Sequence, residues 1–524
     1  MTGQATPTSQ GPSGGLPPMP DTIVVAPEKK SIDWKRLIFL FLGLGLFALF
    51  FAMPAFDPAV DPRNESFPLT REAQLALGLF LLASTWWIFE VAPIGVTAIM
   101  IGLMQVLFYI REPEKALGDF LSPPVWFIFG SLVLGMAFTK SGLTKRMAYK
   151  MLNLVGERTS MIMLGCFVII ALMTHLMAHT AVAAAIFPLL MAINALYTDK
   201  EGPTKFGKAL FIGMAYVAGA GSICTYLGAA RAVSAVGFFK EITGNDISFF
   251  ELSQFMMPVG WIMVFLLWGF FMLVFKPEKP RIENLRERVA ALAKEQGAMT
   301  IKEWLVLITT VVVVGLFMAK SLIPADAAAQ SGFLGFIKGM DRPGIILIAT
   351  MIFFLTGVLD VNDLEAIPWN IVLLFGGAMS IGYCLWQTGA ANWIAVHWLN
   401  MFTQAPPLLF VLSIAFLVLM MTNFIMNVAA IAICLPVALV VGKYLGVEAY
   451  VILFACLVTA GMPFNLLIGA APNAIAYESK QFTTGEFFTW GWVANVILMV
   501  VLTLAILVIW PMMGLSLFTA PAAG

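Results

Sequence analysis

The sequence predicts an all-α polytopic membrane protein with about 11 transmembrane helices and two further segments that enter the bilayer and turn back. Three observations carry this. Hydrophobic residues make up 60% of the 524 and charged residues 11%, and mean hydropathy is +0.91, far above the apolar share of a soluble domain. Apolar runs recur at the length of about 20 residues that a helix needs to cross a bilayer. The order of plain and interrupted runs then occurs twice, which reads as an internal duplication.

Residues 1–35 are rich in Pro, Gly and Ser and cannot bury a core, so they read as a disordered cytoplasmic tail. Lys29, Lys30, Lys35 and Arg36 precede the first apolar run, and no small-residue cleavage site clearly follows it, which favours a first membrane helix in 36–72 over a cleaved signal. Further crossings are expected near 73–91, 94–110 and 125–144. The uncharged run 161–197 would reach roughly 55 Å as one helix, against a core of about 30 Å, so it must double back. A span over 207–237 is interrupted by the Gly-rich VAGAGSICTYLGAARAVSAVG, and 250–275 is plain. This first repeat occupies 73–276. The charged stretch 277–304 reads as a cytoplasmic linker arm. The second repeat, 305–515, has plain spans near 305–323, 343–358 and 369–387, a doubling-back run over 407–442, a broken span over 449–477 and a plain span over 488–513. A short tail, 516–524, follows.

Aligned, Thr174, His175, His179 and Pro188 fall on Thr422, Asn423, Asn427 and Pro436, and GSLVLGMAFTKSG (130–142) falls on GAMSIGYCLWQTG (377–389). With the N-terminus in the cytoplasm, 20 of the 30 Lys and Arg lie on inside segments and 9 on outside ones, as the positive-inside rule requires. The repeats are then inverted, the C-terminus is outside, and the expected location is a bacterial inner (plasma) membrane.

Zero formal net charge gives no reason to expect a nucleic-acid partner. The five cysteines sit in apolar runs without ligand-like spacing and read as small buried hydrophobes. His175 and His179, one helical turn apart, could pair on a metal, but no third His, Cys or carboxylate is near in sequence, so no metal is expected beyond sodium. An enzyme would need a triad or a ligand set, and neither is found. Glu90, near a cytoplasmic turn, reads as a packing residue.

The one basic residue left over is Arg231, in YLGAARAVSAV. A cation at the bilayer centre costs about 2.5–3.5 kcal/mol on the gentlest scale, so it should face a cavity or a partner. The paired doubling-back runs, the paired broken spans and the stretches WWIFEVAPIGVTA (86–98), IPWNIVLLFGGAM (367–379) and GAAPNAIAY (469–477) together resemble the divalent anion/sodium symporter (DASS) family of the ion-transporter superfamily.

That resemblance implies re-entrant hairpins with Ser-Asn-Thr tips, and broken helices with loops such as Thr-Pro-Pro-Asn, which together hold sodium ions and a dicarboxylate. Carried over by position, the tips are Ala178–Thr180 and Met426–Val428, and the loops are Gly228–Ala232 and Gly469–Asn473. The substrate-binding set so implied is His179, Thr180, Arg231, Asn427, Val428, Ala471, Pro472 and Asn473. Cation coupling falls to Thr174, His179, Thr422, Met426, Asn427 and Gly469. Three tip hydroxyls of the family pattern are replaced by Ala178, Met426 and Val428, and Arg231 falls in the first loop. Hydroxyls, amides and freed backbone carbonyls suit sodium, and N–H groups suit a carboxylate.

Three roles stay open for the departures. Arg231 could supply the positive charge that sodium would bring, since a guanidinium is always protonated and binds carboxylate bidentately. His179 could carry a proton. Both could be structural, with Thr422 and Asn427 coupling alone. The expected function is secondary active transport of small organic anions, carboxylates and possible C4-dicarboxylates among them, by an elevator-type mechanism in a homodimer surrounded by lipid. No cofactor is expected other than a coupling sodium or proton. The rival readings are proton-coupled or exchange transport of a monocarboxylate or sulfate-like anion, an anion channel, and a membrane-embedded enzyme.

Overall fold

The structure, a computed structural model, describes residues 34–518 apart from 55, 61–65, 90, 198–201, 284, 403–405 and 425. Nearly all of the expected N-terminal tail, most of the C-terminal one and Glu90 therefore lie outside the described residues. What is described is helical. The strands among these residues, Ala59–Val60 and Ser66–Phe67, form one short antiparallel ribbon.

The chain opens with α1 (Trp34–Ala52), α2 (Arg71–Ile88), α3 (Ile94–Leu107), α4 (Pro123–Ser141) and α5 (Leu143–Val155). Thr70 caps α2 by accepting from the Ala73 N–H, and Gly142 ends α4 in the left-handed region at φ +88, where a side chain would strain the turn. Next come α6 (Thr159–Thr174), α7 (His179–Tyr197), α8 (Lys205–Ser222), α9 (Ala230–Thr243) and α10 (Phe249–Val274). The linker carries α11 (Leu285–Gln296). The remainder holds α12 (Ile301–Leu322), α13 (Arg342–Leu355), α14 (Trp369–Gln387), α15 (Ala390–Phe402), α16 (Pro407–Phe424), α17 (Asn427–Tyr444), α18 (Ala449–Ala460), α19 (Ala471–Tyr477) and α20 (Thr484–Leu504). Reciprocal capping boxes, Ser248/Glu251, Thr300/Glu303 and Thr483/Glu486, start α10, α12 and α20 and satisfy N–H groups that a helix start otherwise leaves open.

Among the described residues nine helices are long and apolar enough to cross a membrane, against the eleven spans expected, and the chain is an integral membrane protein. The nine and the eleven are not the same helices. Ile94–Leu107, Arg342–Leu355 and Ala449–Ala460 are apolar but only 12–14 residues long. At about 1.5 Å per residue they stop short of 30 Å. In the other direction, α7, α16 and α17 reach spanning length as arms of the two doubled-back segments.

Helix packing exchanges partners between the halves of the sequence. α9 leaves the first broken segment and packs on α17 and α18, whereas α19 leaves the second and packs on α7 and α8. The outer layer pairs α1 with α2, α3 with α14 and α4 with α13. All five cysteines are buried and reduced.

The linker arm docks on α5. Arg146 grips Glu303 with two bonds, Nε to Oε1 at 2.8 Å and Nη2 to Oε2 at 3.0 Å, and also donates to the Gly297 and Ala298 carbonyls. The Glu303 side chain is 2% exposed, so removing its partner leaves a buried carboxylate uncompensated. Arg146→Ala is therefore expected to speed tryptic cleavage at Arg286 and Lys294 several-fold in the detergent-solubilised protein. An unchanged cleavage rate would show that the arm is held elsewhere.

Candidate functional site

The site forms where the two broken segments meet. The first break runs from 223 to 229, between α8 and α9, and the second from 461 to 470, between α18 and α19. They touch through glycines: a Cβ on Gly219 would lie 2.8 Å from the Gly461 carbonyl oxygen, and one on Gly461 would lie 2.7 Å from Arg231 Nη2. A side chain at either position would push the two backbones apart.

These boundaries correct the positions expected from sequence. Arg231 is not in the loop but in the first turn of α9, and Ala471, Pro472 and Asn473 form the first turn of α19. The first hairpin turns at 175–178, so His179 and Thr180 begin α7, and in the second Met426 precedes α17, so Asn427 and Val428 begin that helix. His175 consequently lies in the turn after α6 and His179 at the start of α7, so the two do not share one helical face. The helix starts at Ala230 and Ala471 follow Ala229 and Ala470, two alanines with nearly the same extended backbone (φ −160 and −154) and no side-chain cap.

Each hairpin is fastened to its own break. In the first, the His179 N–H donates to the Gly228 carbonyl at 3.2 Å. The Thr225 hydroxyl donates to the His175 carbonyl at 2.8 Å and accepts from the Gly228 N–H. Gly228 leaves no room for a side chain, because its Cβ would run into the Thr174 carbonyl and the Ser222 backbone. Thr174 is fully buried and its hydroxyl donates to Ala171 O. The His175 ring is buried and stands edge-on to Trp261. Thr180 is half-buried, and among the described residues its hydroxyl makes no hydrogen bond.

In the second segment the Thr422 hydroxyl donates to Asn427 Oδ1 at 2.8 Å and to the Ala460 carbonyl at 3.1 Å. Three oxygens therefore converge there. Asn423 Oδ1 accepts from the Asn465 and Leu466 N–H groups, and Asn473 Nδ2 donates to the Pro463 and Leu466 carbonyls. Gly469 lies against Thr422 as Gly228 lies against Thr174, its Cβ position 3.1 Å from the Thr422 carbonyl. Val428 and Pro472 are buried, Met426 is half-buried before α17, and Ala471 is exposed.

Arg231 is 2% exposed, and Nη2 donates to Ser222 Oγ at 2.6 Å. Among the described residues it has no carboxylate partner. A buried arginine is ordinarily compensated by an acid, so this guanidinium is a fixed positive charge at the junction of both breaks.

Sequence reasoning missed the bracing residues. Ser222, Thr225 and Tyr216, whose hydroxyl donates to the Phe464 and Phe487 carbonyls, look ordinary in an apolar run. Asn465 pairs with Asn495, and Asn495, a lone amide in an apolar stretch of α20, was the detectable signal.

A family profile described as the sodium:sulfate symporter transmembrane region matches residues 62–516. The chain is 23% identical over 506 residues, 93% of it and 94% of the relative, to the sodium-dependent dicarboxylate transporter SdcS of Staphylococcus saprophyticus. It is also 23% identical over 500 residues to SdcS of Staphylococcus aureus, covering 92% and 93%. Two solved structures share the fold. Neisseria gonorrhoeae MtrF, reported as illuminating a class of antimetabolite efflux pumps, gives a TM-score of 0.55 at 14% identity over 90% of this chain and 93% of its own. The Alcanivorax borkumensis YdaH transporter gives 0.50 at 15% identity over 93% and 100%.

Asn423→Leu keeps side-chain size but leaves two buried N–H groups of the second break unpaired, at about 1–3 kcal/mol each. It is expected to lower the apparent melting temperature of the purified protein by several degrees. Unchanged melting would show that the break is not braced by this amide.

Proposed function

This chain belongs to the sodium:sulfate symporter family, and from that premise we propose that it is a secondary active transporter of a small organic anion, a carboxylate, with Arg231 as its anion-binding charge. The observation that carries the reading is the buried guanidinium without a carboxylate partner at the meeting of the two breaks. An incoming carboxylate would supply the missing counter-charge, with Thr180, Asn427 and the uncapped helix start at Ala230 as neighbouring polar groups. The relatives named as sodium-dependent dicarboxylate transporters support the substrate class.

Arg231 takes the place of a coupling cation. The chain of contacts His179 to Gly228, Gly228 against Ser222, and Ser222 to Arg231 supports this reading, since it runs from the first hairpin to the guanidinium. Two like unit charges about 4 Å apart repel by about 4 kcal/mol at an effective dielectric near 20, and less with distance, so a guanidinium beside a cation site weakens sodium binding. The same charge opposes a proton on His179. A second reading, sodium held by Thr422 Oγ1, Asn427 Oδ1 and the Ala460 carbonyl, is favoured by the convergence of those oxygens.

Transport proceeds by an elevator-type movement within a homodimer. Segments 37–155 and 305–400 form the scaffold, and the hairpins, the broken helices and the spans 250–275 and 488–513 move together. The apolar Met426 and Val428 favour substrates with an uncharged portion on that side. N-terminus inside and C-terminus outside is the proposed orientation, in a bacterial plasma membrane.

The test is uptake of labelled succinate, malate, monocarboxylates and sulfate into proteoliposomes with and without a sodium gradient. Wild type is expected to take up a carboxylate down its own gradient whether or not sodium is present. Arg231→Ala is expected to lose about 100-fold in uptake efficiency, the value of a charge-assisted bidentate contact of about 3 kcal/mol. Strict sodium dependence that survives Arg231→Ala would favour the Thr422–Asn427 reading, and uptake of sulfate alone would overturn the carboxylate assignment.

A further inference from the structure

Away from the junction, a cavity of about 220 Å³ lies between the turn before α10 and the second half of the chain, lined by Asp246, Ser248, Lys320, Ser321, Lys338 and Arg342 among others. That is the room of about seven water molecules at roughly 30 Å³ each. Three cations face a single carboxylate. Asp246 is shared, bonded to Arg342 Nη2 and 3.7 Å from Lys240 Nζ. The two lysines have no carboxylate partner among the described residues and turn inward instead. Lys320 Nζ donates to the Lys338 carbonyl at 2.6 Å, and Lys338 Nζ donates to the Ile323 carbonyl at 2.7 Å. An ammonium carries three donors, so two on each lysine stay unspent.

Half-buried lysines on a membrane protein commonly extend towards water to relieve their charge. Lys320 and Lys338 instead hold their ammonium groups on backbone carbonyls at the wall of one polar cavity, beside the guanidinium of Arg342. Repulsion among the three, worth on the order of 1 kcal/mol or more per pair at protein-surface dielectric, is relieved by a bound anion. Arg342 links the cavity to the junction. Its Nη1 donates to the Tyr226 hydroxyl at 3.0 Å and to the Ile247 carbonyl at 2.8 Å, and Tyr226 lies within the first break, next to Thr225.

We propose that this cavity is a second anion site, taking an oxyanion, carboxylate or phosphate, whose oxygens bridge Lys320, Lys338 and Arg342. The site is distinct from the one built on Arg231, and its occupant competes with Asp246 for Arg342. Its position at the end of α12 makes it reachable by a dissolved anion and by an anionic lipid headgroup.

The test is calorimetric titration of succinate, and separately of inorganic phosphate, into the full chain in neutral-lipid nanodiscs. Wild type is expected to show two separable succinate-binding events. Lys320→Gln/Lys338→Gln is expected to lose only the weaker, and Arg231→Ala only the tighter, so the event that each variant keeps also shows that it is folded. Loss of the weaker event when phosphatidylglycerol is added to the nanodiscs would support the site and make the headgroup its occupant. A single event abolished by Arg231→Ala and untouched by the lysine pair would overturn this proposal and leave the carboxylate reading intact. A single event lost only in the lysine pair would do the reverse, and absence of both events with both probes overturns the cavity site.

Discussion

A guanidinium buried at the crossing of two interrupted helices, with a serine hydroxyl as its hydrogen-bond partner, is the constraint to which the rest of this structure answers. Moving a cation out of water is expensive unless it is paired. Arg231 is paired with Ser222 Oγ, and the space that it needs comes from Gly461. A larger residue at 461 would displace the charge, and a carboxylate nearby would cancel it. The surroundings therefore keep the charge in place without neutralising it, which is the electrostatic condition for attracting an anion.

The exchange of helices turns that local contact into a property of the whole inner layer. α9, which carries Arg231, packs on α17 and α18, and α19 packs on α7 and α8. Neither break can shift without dragging the other half's hairpin. Thr225 and Asn423 tie hairpin and break backbone together with buried hydrogen bonds, and Asn473 ties α19 to the second break, each bond costing about 1–3 kcal/mol when only one partner is removed.

Much of this was legible in the sequence. The membrane class followed from composition, and the family followed from the paired runs and the GAAPNAIAY type of motif, in agreement with the match over 62–516. Arg231 was visible as a charge with no place at either membrane surface. The boundaries were less legible, because helix starts at Ala230 and Ala471 follow alanines that announce no cap. Helix length was less legible too, since apolar helices such as Arg342–Leu355 stop at 14 residues. The braces were invisible for a different reason: Thr225 and Tyr216 acquire their roles from backbone carbonyls distant in sequence, and Ser222 from the Arg231 guanidinium, and no local pattern encodes those partners. His175 was weighed with His179 as a possible metal pair, yet its backbone carbonyl is what Thr225 uses, while its ring stands against Trp261.

The central claim is that a fixed guanidinium does the work of a coupling cation. Its most direct test is the flux of radiolabelled sodium evoked by a succinate gradient across proteoliposomes that contain the wild-type protein. The account predicts succinate movement with no stoichiometric sodium movement. Sodium entering in fixed proportion to succinate, with Arg231 in place, would contradict it.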